Sequence, residues 1–222
     1  MKTLLITGAG KGIGHAAALL AAKQGHQVIA LSRNIDALKG IERINPYAVD
    51  LAEPEQIENF IAQLDGTQID VLLNNAGLLM NTPVRESNFA LYERIYKVNV
   101  FGLAELTRLV LPQMTSSGHI VNISSMGGIQ GSAKFPGLSI YSSSKAAVIT
   151  LTELWAEEFK ESGPRCNALA LGAVQTQMLA EAFPGFEAPI TAEDFATYVL
   201  DFCLTGQLYY NGKVLQVSSS TP

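Results

Sequence analysis

The order of the hydrophobic runs constrains this chain more than any other feature. Thr3–Thr7 (TLLIT), Gln27–Ser32 (QVIALS), Ile69–Asn74 (IDVLLN) and residues 119–124 (HIVNIS) are short and β-rich, and several are apolar at consecutive positions. Such strands belong to sheets covered on both faces. Weaker strand candidates lie at 47–50, Arg165–Leu171 and 213–217, and longer helical stretches at 12–24, 53–64, 88–114, 141–162 and 192–204. Pro54 suits the first turn of its helix. Strands alternating with helices from end to end predict an α/β fold: a doubly wound parallel sheet (Rossmann fold) in three layers with right-handed crossovers. Neither a repeat nor a linker-like tract interrupts the pattern, so one domain over residues 1–222 is expected, closing on a short SSSTP tail.

Composition narrows the partners. A net charge of -5 argues against nucleic acid, whose phosphates attract an excess of Lys and Arg. Runs of apolar residues stay too short to span a bilayer. The opening MKTLLITGAG passes into glycines too early for a secretory signal. Cys166 and Cys203 stand in apolar segments without CxxC spacing, which predicts reduced packing residues in a cytoplasmic protein. Metal-ligand spacing is not evident.

TGAGKGIG, residues 7–14, follows the first strand and opens the first helix. An open α/β sheet binds a dinucleotide at that point, with the pyrophosphate against the helix N-terminus. Gly8, Gly12 and Gly14 give G-x-x-x-G-x-G, with Ile13 between the last two. A side chain there would hold the backbone away from the phosphates. The second strand ends at Ser32 and Arg33 without an acid, and Lys11 lies within the glycine loop. A carboxylate at that strand end would select a ribose hydroxyl, whereas two cations favour a 2′-phosphate, so NADP(H) is the expected cofactor. Asp36 lies too far into the following segment to serve as a ribose ligand.

YSSSK, residues 141–145, sets a phenol and an amine four residues apart, on one face of a helix. Together with the glycine loop, N74-N-A-G77, Asn99 in KVNVFG and Ser125 in IVNISSMGG, this order resembles the short-chain dehydrogenase/reductases, in their shorter single-domain branch. The resemblance implies Tyr141 as the general acid of carbonyl reduction and the base of alcohol oxidation. Lys145, together with the positive charge of the oxidised nicotinamide, would lower the phenol's pKa, and it would also hold the nicotinamide ribose. Ser125, rather than its neighbour Ser124, would bond the substrate oxygen, and Asn99 would hold a water linking Lys145 to solvent. Asn75, Ala76 and Gly77 would close the floor of the nucleotide cleft. Gly172, Val174 and Thr176 would meet the carboxamide and phosphates. Asp50 would contact the adenine edge or simply cap its strand.

The pattern is not followed everywhere. Leu171-Gly172 replaces the family's Pro-Gly, freeing the nicotinamide-side loop of a fixed φ. The segment between Ser125 and Tyr141 is longer than is common and is expected to form one wall of the substrate pocket. The covering segment from Gln177 to about Thr191 is short; Phe183 and Phe186 would line the pocket or merely pack. The SSSTP tail lacks the family's Asp-Gly-Gly. Surplus apolar residues on two helices (Leu103, Leu106, Val110, Leu151, Trp155) predict a homodimer or homotetramer. The expected activity is interconversion of a small-molecule carbonyl and alcohol. The alternative is a non-catalytic NADP(H)-binding sensor on the same fold, against which the complete set of Asn99, Ser125, Tyr141 and Lys145 argues. Roughly 45 residues after Thr176 leave no room for the substrate region of an extended-branch epimerase.

Overall fold

The computed structural model describes residues 1–219, so most of the SSSTP tail lies outside the described residues. Its strands are β1 (Thr3–Thr7), β2 (Gln27–Ser32), β3 (Ile44–Ala48), β4 (Ile69–Asn74), β5 (Met114–Ser125), β6 (Arg165–Leu171) and β7 (Val214–Val217). They form one sheet in the order β3-β2-β1-β4-β5-β6-β7, and every neighbouring pair is parallel. The winding reverses between β1 and β4, and that switch point opens a crevice at the strands' carboxyl ends. Around the sheet lie α1 (Gly12–Lys23), α2 (Pro54–Gln63), α3 (Phe89–Tyr96), α4 (Leu103–Val110), α5 (Ser139–Glu158), α6 (Gln177–Ala182) and α7 (Ala192–Thr205).

Side chains alternate across each strand, so the consecutive apolar runs feed two cores. Leu4, Ile6, Val71, Leu73, Val121 and Leu169 face α1 and α7. Leu5, Leu72 and Ile120 face the opposite layer with Phe60, Leu106 and Ala156. Ala17, Ala18 and Ala21 of α1 are fully buried against Phe195, Ala196 and Val199 of α7, small residues that let the two helices approach closely.

Local detail departs from the sequence expectation at four places. The third strand begins at Ile44 and ends at Ala48, earlier than expected, and carries Pro46. As the edge strand it tolerates a residue with no N–H. The expected helix 88–114 is instead α3, a π-helical turn at Lys97–Gly102, α4, and a 3-10 turn at Leu111–Gln113. Gly102 in the π turn presses on the chain after β3, where an added Cβ would lie 2.1 Å from the Leu51 carbonyl oxygen. Next, β5 already begins at Met114 and runs 12 residues. Finally, α6 was not expected at all; the Thr176 hydroxyl caps it by accepting from the Leu179 N–H.

The apolar surplus assigned to an oligomer interface is also corrected. Leu103, Leu106 and Val110 are buried inside this chain, since α4 turns that face onto the sheet. Leu151 and Trp155 are half-buried. The exposed apolar residues nearby are Phe101 (57%) and Leu154 (55%). Among the described residues no helix is long and apolar enough to cross a membrane, and no His/Cys/Asp/Glu group could hold a metal ion.

Candidate active site

A cleft of about 320 Å³ opens at the β1/β4 switch point. Its first half is built by the glycine loop. Gly8 (φ +68°) and Gly12 (φ +60°) adopt backbone conformations that L residues rarely take. A Cβ on Gly8 would also lie 2.8 Å from Ala76 Cα, so the loop packs directly on the Asn75–Gly77 turn. Two side chains lock that contact. Asn75 Nδ2 donates to the Thr7 carbonyl at 2.9 Å, and the Thr7 hydroxyl accepts from the Asn75 and Ala76 N–H groups, each at 3.0 Å. No side chain caps α1, whose first N–H groups therefore lack helix partners. An uncapped helix start behind a glycine loop fits an anionic pyrophosphate.

Lys11, Ile13, Ser32, Arg33 and Asp50 line the same half. Lys11 and Arg33 are exposed cations, and Asp50 is the only acid on the cleft wall among the described residues. Asp36 is occupied elsewhere, 2.7 Å from Lys39. Asp50 lies two residues beyond the end of β3 and accepts from the Ala52 N–H at 3.0 Å, so it both caps its turn and faces the cleft. Gly10, which the sequence reading passed over, is as constrained as its neighbours, because a Cβ there would meet Ser32 Oγ at 2.4 Å. Gly14 does not line the cleft. It is a packing glycine against Asn75 and the Gly8 carbonyl.

The centre of the cleft holds Ser125, Tyr141 and Lys145. Both serines border the cleft: Ser124 donates to the Lys145 carbonyl at 2.8 Å, while the Ser125 hydroxyl accepts from the Gly127 N–H at 3.1 Å and is close enough to Tyr141 to lower its pKa. Lys145 Nζ stands 5.9 Å from the centre of the Tyr141 ring, so the α5 spacing does bring the two heads to one face. That ammonium, 2% exposed, donates to the Ile123 carbonyl at 2.8 Å. Burial lowers Lys145 to about 8.

The protein's own surroundings act on the phenol in the other direction. Burial pushes Tyr141 up to about 12, against the opposing pull of the Ser125 hydrogen bond. Desolvation of a phenolate outweighs the help expected from Lys145, whose ammonium is directed at the Ile123 carbonyl. Near neutral pH the protein by itself therefore holds a neutral phenol beside a charged lysine.

Asn99 does not line the cleft but stands behind it in the π-helical turn, fully buried. Its Oδ1 accepts from the Leu78 N–H at 2.7 Å. Its Nδ2 donates to the Leu78 carbonyl at 3.0 Å and the Ser144 hydroxyl at 2.9 Å. Ser144 in turn donates to the Tyr141 carbonyl at 2.7 Å. Asn99 thus braces both the loop after β4 and the first turns of α5. A Cβ on Gly77 would sit 3.4 Å from Lys145 Nζ and 3.7 Å from Asn99 Oδ1, so these two side chains converge over that glycine.

Gly172, Val174 and Thr176 close the cleft from the β6 side. The Gly172 N–H continues the β6–β7 pairing to the Val217 carbonyl at 2.9 Å, which anchors the loop that Leu171 leaves without proline. Beyond Tyr141 the wall is made by Leu79, Met126, Phe135, Leu138, Leu179 and Phe183. The segment after Ser125 does form a wall, and Phe183 lines it. Phe186 does not. Leu79, Phe135 and Leu179 escaped the sequence reading, for they carry no motif and meet only through loop packing.

The chain matches the short chain dehydrogenase family model over residues 2–185. It belongs to that family. Family members are oxidoreductases, and the relatives are similar in length as well as sequence. One is 3-oxoacyl-acyl-carrier-protein reductase FabG of Thermotoga maritima, 36% identical over 189 residues, covering 80% of this chain and 76% of the relative. Among solved structures, 4-hydroxyisoleucine dehydrogenase complexed with NADH has a TM-score of 0.89 at 26% identity, covering 99% of this chain and 98% of that one. A variant of ElxO with NADPH bound has a TM-score of 0.84 at 30% identity and covers 97% of each chain. The fold and the family's doubly wound parallel sheet therefore agree with the expectation from sequence.

Proposed function

We propose that this family member is an NADP(H)-dependent oxidoreductase that interconverts a small-molecule carbonyl and an alcohol, with Tyr141 as its proton donor. The observation that carries the reading is the convergence of Ser125, Tyr141 and Lys145 in one cleft with the glycine loop. Lys11, Arg33 and the absence of an acid at the end of β2 support a 2′-phosphate. When bound, the reduced nicotinamide supplies the hydride that goes to the carbonyl carbon. Tyr141 gives its proton to the carbonyl oxygen, leaving an alcohol and a phenolate that solvent reprotonates. A phenol held at about 12 keeps its proton until the oxygen develops charge, which suits reduction. Ser125 stabilises that oxygen. Lys145, charged below about 8, offsets the phenolate and offers donors to the ribose. The second lone pair of Asn99 Oδ1 is available for a water on the route to solvent.

The test is NADPH consumption against a panel of aldehydes and ketones, with Tyr141→Phe as control. Turnover in the parent protein and a loss of about 10²–10⁴-fold in the variant are expected, with NADPH binding retained. Undiminished turnover in the variant counts against the mechanism. We further propose a homodimer or homotetramer whose contact includes Phe101 and Leu154, the apolar residues still exposed near α4 and α5. A light-scattering mass equal to one chain would reject that assembly.

A further inference from the structure

We propose that the substrate is an uncharged, largely apolar ketone or aldehyde, with no carboxylate or phosphate beside the reacting carbon. This rests on the oxidoreductase reading and adds the chemistry of the pocket. Three chain segments surround the far end of the cleft, and each is tied to another. Asn81 Nδ2 donates to the Ala182 carbonyl at 3.2 Å, joining the loop after β4 to α6. The Thr82 N–H donates to the Gly137 carbonyl at 2.9 Å, joining the same loop to the segment after β5. Phe135 and Phe183 meet edge to face across the remaining gap, ring centres 5.4 Å apart. The covering segment is itself pinned at its base, where Gln175 bridges to Thr191 and its side chain accepts from the Ala188 N–H at 2.8 Å. The wall is therefore a built surface, and most of its side chains are apolar.

Charge is distributed just as unevenly. The charged residues lining the cleft are Lys11, Arg33, Asp50 and Lys145. Arg33 and Asp50 follow β2 and β3, on the opposite side of β1 from Ser125. Lys11 belongs to the glycine loop and donates to Gln177 Oε1 at 3.1 Å. Lys145 is held by the Ile123 carbonyl. One further cation sits on the substrate wall, Lys134, and it does not line the cleft. Its Nζ donates to the Gly127 carbonyl at 2.8 Å, the Ile129 carbonyl at 2.6 Å and the Ser132 hydroxyl at 2.7 Å, which staples the loop beneath Met126. A carboxylate next to the reacting carbon would leave water and find no cation free to receive it, which is unfavourable. Ser125, Tyr141 and Ser142 supply hydroxyls that can orient one carbonyl oxygen, and none of them carries a charge that would pair with a carboxylate.

Two matched pairs test this by NADPH consumption: acetophenone against phenylglyoxylate, and 2-pentanone against 2-oxopentanoate. The neutral member of each pair is expected to show kcat/KM about 100-fold higher. Equal or faster turnover of the charged members overturns the inference and leaves the oxidoreductase reading standing. Should no compound be turned over, that reading fails instead, and thermal-shift titration of the NADPH-loaded protein judges the pocket. Binding confined to the neutral members supports the inference; binding of the charged members, or of neither, overturns it. Phe183→Arg places a cation on the wall and is expected to cut the neutral-to-charged ratio at least about tenfold. An unchanged ratio in a folded, NADPH-binding variant counts against the proposal.

Discussion

His119 gives the fold a pH dependence that can be worked out from its surroundings. The ring is fully buried on β5, packed 5.4 Å from the Phe202 ring. Asn167 Nδ2 lies 2.9 Å from Nε2, and the Cys203 carbonyl lies 3.1 Å from Nδ1. The neutral tautomer with its proton on Nδ1 satisfies both, whereas a second proton would oppose the Asn167 amide. Desolvation lowers the imidazole from 6.5 to about 4, against the raising effect of the Cys203 and Phe202 carbonyls. Because the folded value is depressed, the unfolded chain takes up the proton first. Stability is therefore full above about pH 6.5 and falls with pH until about 4. At about 1.4 kcal/mol per unit the whole displacement is worth about 3 kcal/mol, of which about 2 kcal/mol is lost between about pH 7.5 and 5. Urea unfolding of the parent and of His119→Gln at those two pH values measures it. The Gln variant keeps a polar side chain but cannot titrate, so carboxylates and His26 contribute equally to both proteins. The parent should lose about 2 kcal/mol more than the variant on acidification. Equal losses would refute the assignment of a neutral buried imidazole.

Other consequences are simpler. Arg33→Ala should weaken NADPH binding by about tenfold or more and leave NADH binding nearly unchanged, as read by fluorescence titration; equal losses would show that Arg33 does not face a 2′-phosphate. Reductive kcat/KM should decline as pH rises through about 8, where Lys145 loses its charge, and a flat profile up to about pH 10 would remove Lys145 from the proton chemistry. Gly102→Ala should destabilise by about 1–3 kcal/mol in urea melts, because its Cβ would collide with the Leu51 backbone rather than a movable side chain. Full stability in that variant would mean that the π-helical turn shifts freely.

The apolar runs and the glycine loop are local signals, and they were legible in the sequence because local physics decides them. Consecutive apolar residues at Leu4–Ile6 cannot be satisfied by a one-sided sheet, and Gly8 and Gly12 stand where positive φ is required. The four-residue spacing of Tyr141 and Lys145 likewise fixes a shared helical face before any tertiary contact forms. Spacing did not reveal what happens when that face is buried. Tyr141 rises rather than falls, since desolvation depends on everything packed around the hydroxyl.

Tertiary structure alone decided the rest. Leu103, Leu106 and Val110 read as surplus until α4 laid that face on the sheet. Asn99 was legible in KVNVFG, but its reach to Leu78 and Ser144 comes from the π-helical form of that stretch, next to the glycine that admits Leu51. The apolar wall of Leu79, Phe135 and Phe183 comes from three loops far apart in the chain. Short-range steric and periodic rules act between neighbours and so are written in order along a sequence. Burial, charge isolation and pocket shape are sums over residues that become neighbours only after folding, and only the folded chain can supply them.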